Sequence, residues 1–118
     1  MPHYILEYSN NISEETDPQH FFPALHQILI EEGFDASKIK SRIVRHDYYY
    51  IGNGNAKNAF VHLTLSILNR HSLEKRKRVG GRILAYLKKY FSKSLSKLNL
   101  KISVEIRELE QETYFVET

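Results

Sequence analysis

Apolar and polar residues alternate in four segments of the chain, and this pattern predicts four β-strands. The first segment begins at His3, and the second runs from Ile39 to Ile51. The third, Phe60 to Leu68, has the most regular alternation and follows the turn-forming stretch Gly52–Asn55. The fourth covers residues 100 to 107. Because the second segment is rich in β-branched and aromatic residues, we expect one long strand that reaches Ile51.

Between the first two strands, apolar residues recur at helical spacing and predict a helix from about Pro18 to Glu32. Asp17 is suited to cap this helix, proline is favoured at its first position, and Gly33 provides a stop. Pro23 falls in the second turn, where a proline costs a backbone hydrogen bond. A start nearer Phe21 or Phe22 is therefore the alternative.

A second amphipathic helix is predicted to begin after Ser72, its N-cap, with Glu74 favourable near the positive end of the helix dipole. Its apolar stripe is Val79, Ile83, Tyr86, Leu87, Tyr90 and Phe91, and its basic face is Lys75, Arg78, Arg82, Lys89 and Lys93. We expect residues 94–99 to be a connection and residues 111–118 to be a short tail.

The order strand, helix, strand therefore occurs twice, over residues of about 1–52 and 56–118. Two tandem β-α-β units predict an α/β (α+β) fold with one four-stranded mixed sheet and both helices on one face. We expect a single domain over residues 1–118. The other face of the sheet would carry His62, Thr64, Tyr48 and Tyr50, which suits an oligomer assembled across the sheet.

Composition limits the class of protein. A chain of 118 residues with 42% hydrophobic and 26% charged residues is typical of one globular domain. We expect no membrane contact, because no apolar run approaches the roughly 20 residues of a membrane span, and no secretory signal. We therefore expect a cytoplasmic protein. The absence of cysteine excludes disulfides and thiolate ligands, and the six histidines show no paired ligand spacing, so we expect no metal site.

The charge pattern leaves one alternative function open. The formal net charge is +3, and basic residues concentrate between Lys75 and Lys101. This basic helix, together with Tyr48–Tyr50, would suit a nucleic-acid-binding module. However, no RNP-like motif is present, and the basic residues lie on a helix instead of the sheet. We therefore expect no nucleic-acid partner.

Candidate chemistry is concentrated at the start of the chain. If Met1 is removed, Pro2 becomes a free secondary amine at the head of an apolar strand. An α-amino group has a reference pKa of about 7.7–8.0, and burial or nearby cations lower it, so such a proline could act as a general base near neutral pH. Alternatively, Pro2 is only a stiff residue at the start of a strand.

Five blocks of sequence, in order and spread over nearly the whole chain, resemble the tautomerase superfamily and, within it, the 5-carboxymethyl-2-hydroxymuconate Δ-isomerases. The blocks are Met1–Ser9, Ile39–Ile43, Ala59–Leu65, Ser72–Glu74 and Val104–Leu109. The resemblance implies a homotrimer of mixed sheets and a cofactor-independent isomerase. It also implies that Pro2, as catalytic base and acid, moves a proton along an unsaturated 2-hydroxy or 2-keto dicarboxylic acid, a reaction of aromatic catabolism.

Arginines bind the substrate carboxylates in that family, and the resemblance assigns this role here to Lys40, Arg42, Arg70 and His71. Two positions depart from the family pattern. Lys40 stands where the family has arginine and keeps the charge without the bidentate fork. His71, preceded by Arg70, also stands at an arginine position, so either Arg70 reaches the pocket or His71 acts as a pH-dependent cation. A non-catalytic trimer with the same fold is the alternative.

Overall fold

The computed structural model describes residues 1–117, which form one mixed sheet and its covering helices. The strands are β1 (His3–Ser9), β2 (Lys40–His46), β3 (Asn58–Leu68) and β4 (Asn99–Leu109). The helices are α1 (Pro18–Glu31), α2 (Leu73–Tyr90) and α3 (Ser92–Lys97). Two short 3-10 turns, Ala36–Lys38 and Gln111–Thr113, precede β2 and follow β4.

The order of strands in the sheet is β2-β1-β3-β4. β1 is parallel to β2, β3 is parallel to β4, and the two units join through the antiparallel pair β1 and β3. This topology confirms the predicted four-stranded mixed sheet built from two β-α-β units. It also brings the first residues of β1 and β2 to the same edge of the sheet as the last residues of β3 and β4.

Helices α1 and α2 cover one face of the sheet, and the hydrophobic core lies between them. Tyr4 and Leu6 of β1 and Leu63 of β3 are fully buried there, as the alternation predicts. The Tyr4 hydroxyl donates to the carbonyl oxygen of Leu25 on α1 at 3.0 Å. The Tyr86 hydroxyl of α2 donates to the backbone oxygen of Phe21 at 2.8 Å, which ties the helices to each other.

Helix α1 begins at Pro18 as predicted, and Pro23 lies inside it without moving its start. Asp17 is the N-cap, and its side chain accepts from the Gln19 amide at 3.1 Å. The cap and the burial of Phe21 hold the first turns in place, so the alternative start near Phe21 or Phe22 is wrong. Helix α2 begins after Ser72, whose hydroxyl accepts from the Lys75 amide at 3.0 Å.

Strand β2 is shorter than predicted, because it ends at His46 and does not reach Ile51. Its neighbour β1 ends at Ser9, which pairs with His46. Beyond that point an edge strand has no partner for its backbone, and the chain turns away. The side chains of Tyr48 and Tyr50 are therefore exposed in a loop. The alternation continues into this loop, but strand pairing does not.

The predicted connection at residues 94–99 also differs, because α3 occupies most of it. The short helix is fixed by contacts from a distant loop. The amide of buried Ser94 donates to a Glu14 carboxylate oxygen at 3.0 Å, and its hydroxyl accepts from the Ser13 amide at 2.9 Å. Both partners lie about 80 residues away, so no local pattern indicates this helix.

The face of the sheet opposite the helices is polar and ionic. His46 on β2 lies 2.9 Å from a Glu7 carboxylate oxygen on β1. On the same face, toward β4, His62 of β3 forms a hydrogen bond with the Ser103 hydroxyl at 2.6 Å and lies 3.4 Å from Glu105 of β4. Within residues 1–117, no helix is both long enough and apolar enough to cross a membrane.

We expect the two leucines Leu87 and Leu84 of α2 to differ sharply in their effect on stability. Leu87 is 0% exposed and Leu84 is 37% exposed. Leu87→Ala should lower the free energy of unfolding by about 2–5 kcal/mol, since it opens a cavity in the core. The matched variant Leu84→Ala should lower it by less than about 1 kcal/mol. Urea unfolding followed by circular dichroism measures both, and equal losses would contradict this assignment of the core.

Candidate active site

A cavity of about 490 Å³ opens at the edge of the sheet where β1 begins and β3 and β4 end. Three parts of the chain join the N-terminus in its wall: the loop after α1, the loop after β3, and the tail after β4. Its lining residues are Met1, Pro2, Gly33, Phe34, Asp35, Lys38, Leu68, Arg70, His71, Gln111, Tyr114 and Val116. Of the predicted site residues, the cavity therefore brings together Pro2, Arg70 and His71.

Pro2 is buried in the cavity wall. Its carbonyl oxygen accepts a hydrogen bond from the Lys40 amide at 3.0 Å, so the pairing of β1 with β2 extends one residue beyond the strand itself. The register that pairs His3 with Ser66 places Pro2 beside the last residues of β3. Both neighbouring strands thus fix the position of the proline.

Helix α1 ends in a turn that directs the chain into the cavity wall. Gly33 adopts a positive φ of 95°, a conformation that glycine accepts without steric cost. The Gly33 amide donates to the Ile30 carbonyl at 3.0 Å, and the Phe34 amide donates to the Leu29 carbonyl at 3.0 Å, which is a Schellman motif. This motif places Phe34 in the wall, with its ring centroid 4.9 Å from that of His71.

The cavity wall carries more positive than negative charge. Lys38 and Arg70 line it, and among residues 1–117 neither makes a side-chain hydrogen bond or an ion pair. Asp35 is the one carboxylate in the described lining. Its Oδ1 accepts from the Ser37 hydroxyl at 2.9 Å and from the Ser37 amide at 3.0 Å, which lowers the pKa of Asp35. The two cations therefore remain available to an anionic ligand.

The amine at the start of the chain has a pKa below its ordinary value, first because it is partly buried and then because Arg70, Lys40 and Lys38 lie nearby. Burial removes hydration from the ammonium form, and like charges repel it. The N-terminus therefore lies in an environment that favours the neutral form of its amine.

His71 is a neutral ring in this environment. Partial burial lowers its pKa most, followed by the charges of Lys75 and Arg70. Since an ordinary histidine titrates near pH 6.5, a lowered pKa leaves His71 uncharged in neutral solution. Of the two sequence hypotheses, the lowered pKa of His71 therefore favours Arg70 as a cation of the cavity, with His71 as a neutral residue of its wall.

Lys40 and Arg42 lie outside the cavity lining. Both side chains are exposed and project from the helix-free face of β2, on the same side of the sheet as His3. Arg42 donates from Nη1 to His3 Nδ1 at 3.4 Å. Lys40 still acts at a distance, because its charge contributes to the lowered pKa of the terminal amine.

The sequence prediction missed the lining residues Phe34, Lys38 and Tyr114. One signal was present for Lys38, which precedes β2 by two residues and so lies at the edge where β1 also begins. No signal marked Tyr114, which follows β4 in an irregular tail. Its hydroxyl lies 2.8 Å from His3 Nε2. In the described chain no group of three or more His, Asp or Glu side chains could hold a metal ion.

The arrangement combines the second residue of the chain, Pro2, with two available cations and a wall that is partly apolar. These features suit a small organic anion with a proton to lose, because the cations stabilise negative charge that grows during deprotonation. They also suit a neutral amine as the base.

Comparisons with known proteins show the family of this chain. A family model described as 5-carboxymethyl-2-hydroxymuconate isomerase matches residues 2–117. The chain is 36% identical over 110 residues to a 5-carboxymethyl-2-hydroxymuconate Delta-isomerase from Escherichia coli. That match covers 92% of this chain and 87% of the relative.

Solved structures share the fold. A 5-carboxymethyl-2-hydroxymuconate isomerase from Deinococcus radiodurans R1 superposes with a TM-score of 0.91 at 28% identity, over 98% of this chain and 88% of that one. A macrophage migration inhibitory factor-like protein from Entamoeba histolytica superposes with a TM-score of 0.66 at 16% identity, over 98% and 95% of the two chains. The second likeness concerns the fold alone.

Proposed function

Because the chain belongs to the 5-carboxymethyl-2-hydroxymuconate isomerase family, we propose that this isomerase moves a proton along an unsaturated 2-hydroxy or 2-keto dicarboxylic acid, with Pro2 as its base. The observation that carries the proposal is the position of buried Pro2 in a cavity with Lys38 and Arg70. The E. coli relative is named for 5-carboxymethyl-2-hydroxymuconate. The resemblance of the sequence to this family implies a substrate from the breakdown of aromatic compounds. We extend that context, the breakdown of aromatic compounds in the cytoplasm, to this chain.

The proposed reaction begins with Pro2 as a neutral secondary amine. Its nitrogen takes the proton from the 2-hydroxyl group, or from the carbon next to the carbonyl, and the electron pair left behind spreads over the conjugated system as a dienolate. The prolinium then returns the proton to a different carbon, and the double bond shifts. No net charge or atom is gained, so the step is an isomerisation that needs no cofactor.

This mechanism requires removal of Met1. While Met1 is attached, the Pro2 nitrogen belongs to a tertiary amide whose lone pair is delocalised, and it is not a base. After removal, the proline amine would lie in the same cavity as the present terminal amine. Burial, Arg70, Lys40 and Lys38, which lower the pKa of that amine, would act on Pro2 in the same direction.

Arg70 and Lys38 would bind the substrate carboxylates and stabilise the dienolate, with Lys40 contributing through its long-range charge. Arg70 is suited to a bidentate grip on a carboxylate, and Lys38 supplies a point charge. In this assignment His71 and Phe34 form the wall against the carbon chain of the substrate. Arg42 would act from outside the cavity.

We further propose that the molecule is a homotrimer assembled across the helix-free face of the sheet. The apolar side chains Ile5, Val44 and Phe60 lie on this face among its ionic pairs. Val44, on an edge strand, is 43% exposed. A face that mixes ionic pairs with exposed apolar groups is suited to contact with copies of itself.

We expect the Pro2→Ala variant to lose most of its activity. Alanine at this position also permits removal of Met1, but its primary amine lacks the ring that holds the proline nitrogen in place. The value of kcat/KM for 2-hydroxymuconate should fall by about 10²- to 10⁴-fold, the usual contribution of a general base. Spectrophotometric turnover measures the change, and intact mass confirms that Met1 is absent from both proteins.

A matched control for this variant is the wild-type sequence with one alanine inserted before Pro2, which keeps the ring but converts its nitrogen to an amide. It should be as inactive as Pro2→Ala or more so. Undiminished activity in either protein would exclude the proline base.

Arg70→Gln should alter both substrate binding and the pH profile. The KM for 2-hydroxymuconate should rise about tenfold or more, because a charged hydrogen-bond partner is lost. The acid limb of kcat/KM, where the base becomes protonated, should move to higher pH, since Arg70 contributes to the lowered pKa of the amine. Arg45→Gln is the matched control, because Arg45 pairs with Asp47 at the far end of the sheet. Equal effects of the two substitutions would exclude Arg70 as the anion binder.

If the proposed assembly is right, the molar mass of the protein in solution should be that of three chains. Light scattering coupled to size-exclusion chromatography measures this mass. Val44→Asp should dissociate it, since a carboxylate would have to be buried at the contact between chains. Leu84→Asp, on the outer face of α2, should leave the trimer intact. A monomeric wild-type protein, or equal dissociation by both variants, would contradict assembly through the sheet.

A further inference from the structure

Tyr114 lies in the cavity wall, although it belongs to the tail after β4. The tail is held by Asn69 in the loop after β3. The Asn69 amide donates to the Leu109 carbonyl at 3.0 Å, and its side-chain Oδ1 accepts from the Gln111 amide at 3.1 Å. Tyr114 is thereby fixed at the same edge of the sheet as Pro2, and its side chain is half-buried.

The Tyr114 hydroxyl takes part in a chain of hydrogen bonds that runs out of the cavity. It lies 2.8 Å from His3 Nε2, and His3 Nδ1 lies 3.4 Å from Arg42 Nη1. A guanidinium group donates and never accepts, so Nδ1 of His3 must be the acceptor. The proton of the neutral imidazole is then on Nε2 and is donated to the Tyr114 oxygen.

This assignment leaves the hydroxyl proton of Tyr114 free for another partner. A phenol oxygen that accepts from His3 still has its own O–H to donate. Burial and the charges of Arg42, Lys40 and the terminal amine lower the pKa of His3, so the ring is neutral and keeps the required tautomer in neutral solution. Within residues 1–117, His3 is the one side-chain group in hydrogen-bond contact with this hydroxyl.

We propose that Tyr114 is a substrate-binding residue that donates its hydroxyl proton to an oxygen atom of the anionic substrate, and that His3 and Arg42 are positioning residues that act through it. The inference rests on the proposed function, since it takes the same cavity as the site of an oxyanion. It gives Arg42, which lies outside the cavity, a defined role. It also adds a neutral donor beside the cations Lys38 and Arg70.

The first experiment removes only the hydroxyl. Tyr114→Phe keeps the ring and should lower kcat/KM for 2-hydroxymuconate about tenfold or more, the usual effect of losing a hydrogen bond to a charged group. Calorimetry should show an increase of similar size in the dissociation constant of adipate, a saturated six-carbon dicarboxylate that cannot react. Tyr48→Phe is the matched control, because that hydroxyl belongs to a side chain that is 96% exposed in a distant loop.

A rise in KM alone assigns the contact to the bound substrate, and a fall in kcat assigns it to the transition state. Both results support the inference. Values within about twofold of wild type for turnover and for adipate would overturn it.

The second experiment tests whether His3 acts through Tyr114 by a double-mutant cycle. His3→Phe should cost about as much as Tyr114→Phe, and the double variant should lose no more than either single variant. His3→Gln should recover part of the activity, because its amide nitrogen can donate to Tyr114. Additive losses of activity in the double variant, or no recovery of activity in His3→Gln, would overturn the role of His3. The hydrogen bond between His3 and Tyr114 would then only hold the tail against β1.

Failure of the proposed function gives a different result. A wild-type protein that binds adipate but does not isomerise 2-hydroxymuconate refutes the proposed reaction, while the adipate comparison still decides the role of Tyr114. A wild-type protein that does not bind adipate refutes the inference itself, because the cavity is then not a dicarboxylate site.

Discussion

The antiparallel pairing of β1 with β3 is the constraint on which the cavity depends. Each β-α-β unit alone places two parallel strands side by side. Joining the units in opposite directions brings the first residues of one unit to the edge where the other ends, so Pro2 meets the loop that carries Arg70 and His71. If the units were joined in parallel, these groups would lie at opposite edges. Pro2 would then be separated from the loop with Arg70 and His71 by the length of a strand.

The same positive charges serve two purposes in this cavity. They favour an anionic ligand, and they disfavour the protonated form of an amine at the start of the chain. The pKa of that amine and the attraction of the cavity for anions are therefore coupled, and a change in one cation alters both. Asp35 lies in the same wall, but its hydrogen bonds from Ser37 hold its carboxylate in a local turn. The described lining therefore carries the two cations Lys38 and Arg70 against the single carboxylate of Asp35, and the excess of positive charge remains.

Alternation predicts the four strands of the sheet, and helical spacing with capping residues predicts α1 and α2. Both kinds of signal lie within a short stretch of sequence. Asp17 and Ser72 cap the helices as expected. The alternation in β3 matches its burial as far as Leu63, beyond which Thr64 and Ser66 are buried as well. The errors arose where a distant partner decides the outcome. Strand β2 stops at His46 because β1 stops at Ser9, and α3 forms because Ser94 meets Glu14. Alternation alone contains neither fact.

For the site, the resemblance implies roles for Pro2, Arg70 and His71, and these three residues line the cavity. It implies roles for Lys40 and Arg42 as well, and these two lie exposed on β2, outside the cavity lining. Alternation explains the difference, since residues 40 and 42 share a face with His3 and not with the cavity wall. Lys38 precedes β2, so the alternation of the strand does not decide on which side its side chain lies. Tyr114 could not be predicted, because its position follows from Asn69, and an irregular tail has no period to read.

The charges on the helix-free face also bear on the kind of interface that a trimer could form. Glu7 already contacts His46, and Glu105 already contacts Arg107 and His62. Within residues 1–117, Lys40 and Arg42 have no carboxylate within ion-pair distance, and the neighbour of Arg42 is a neutral histidine. Removing two such cations from water without partners would cost several kcal/mol each. An assembly through this face would therefore bring apolar groups such as Val44 into contact and leave the cations hydrated, which makes its interior wet and not a dry core.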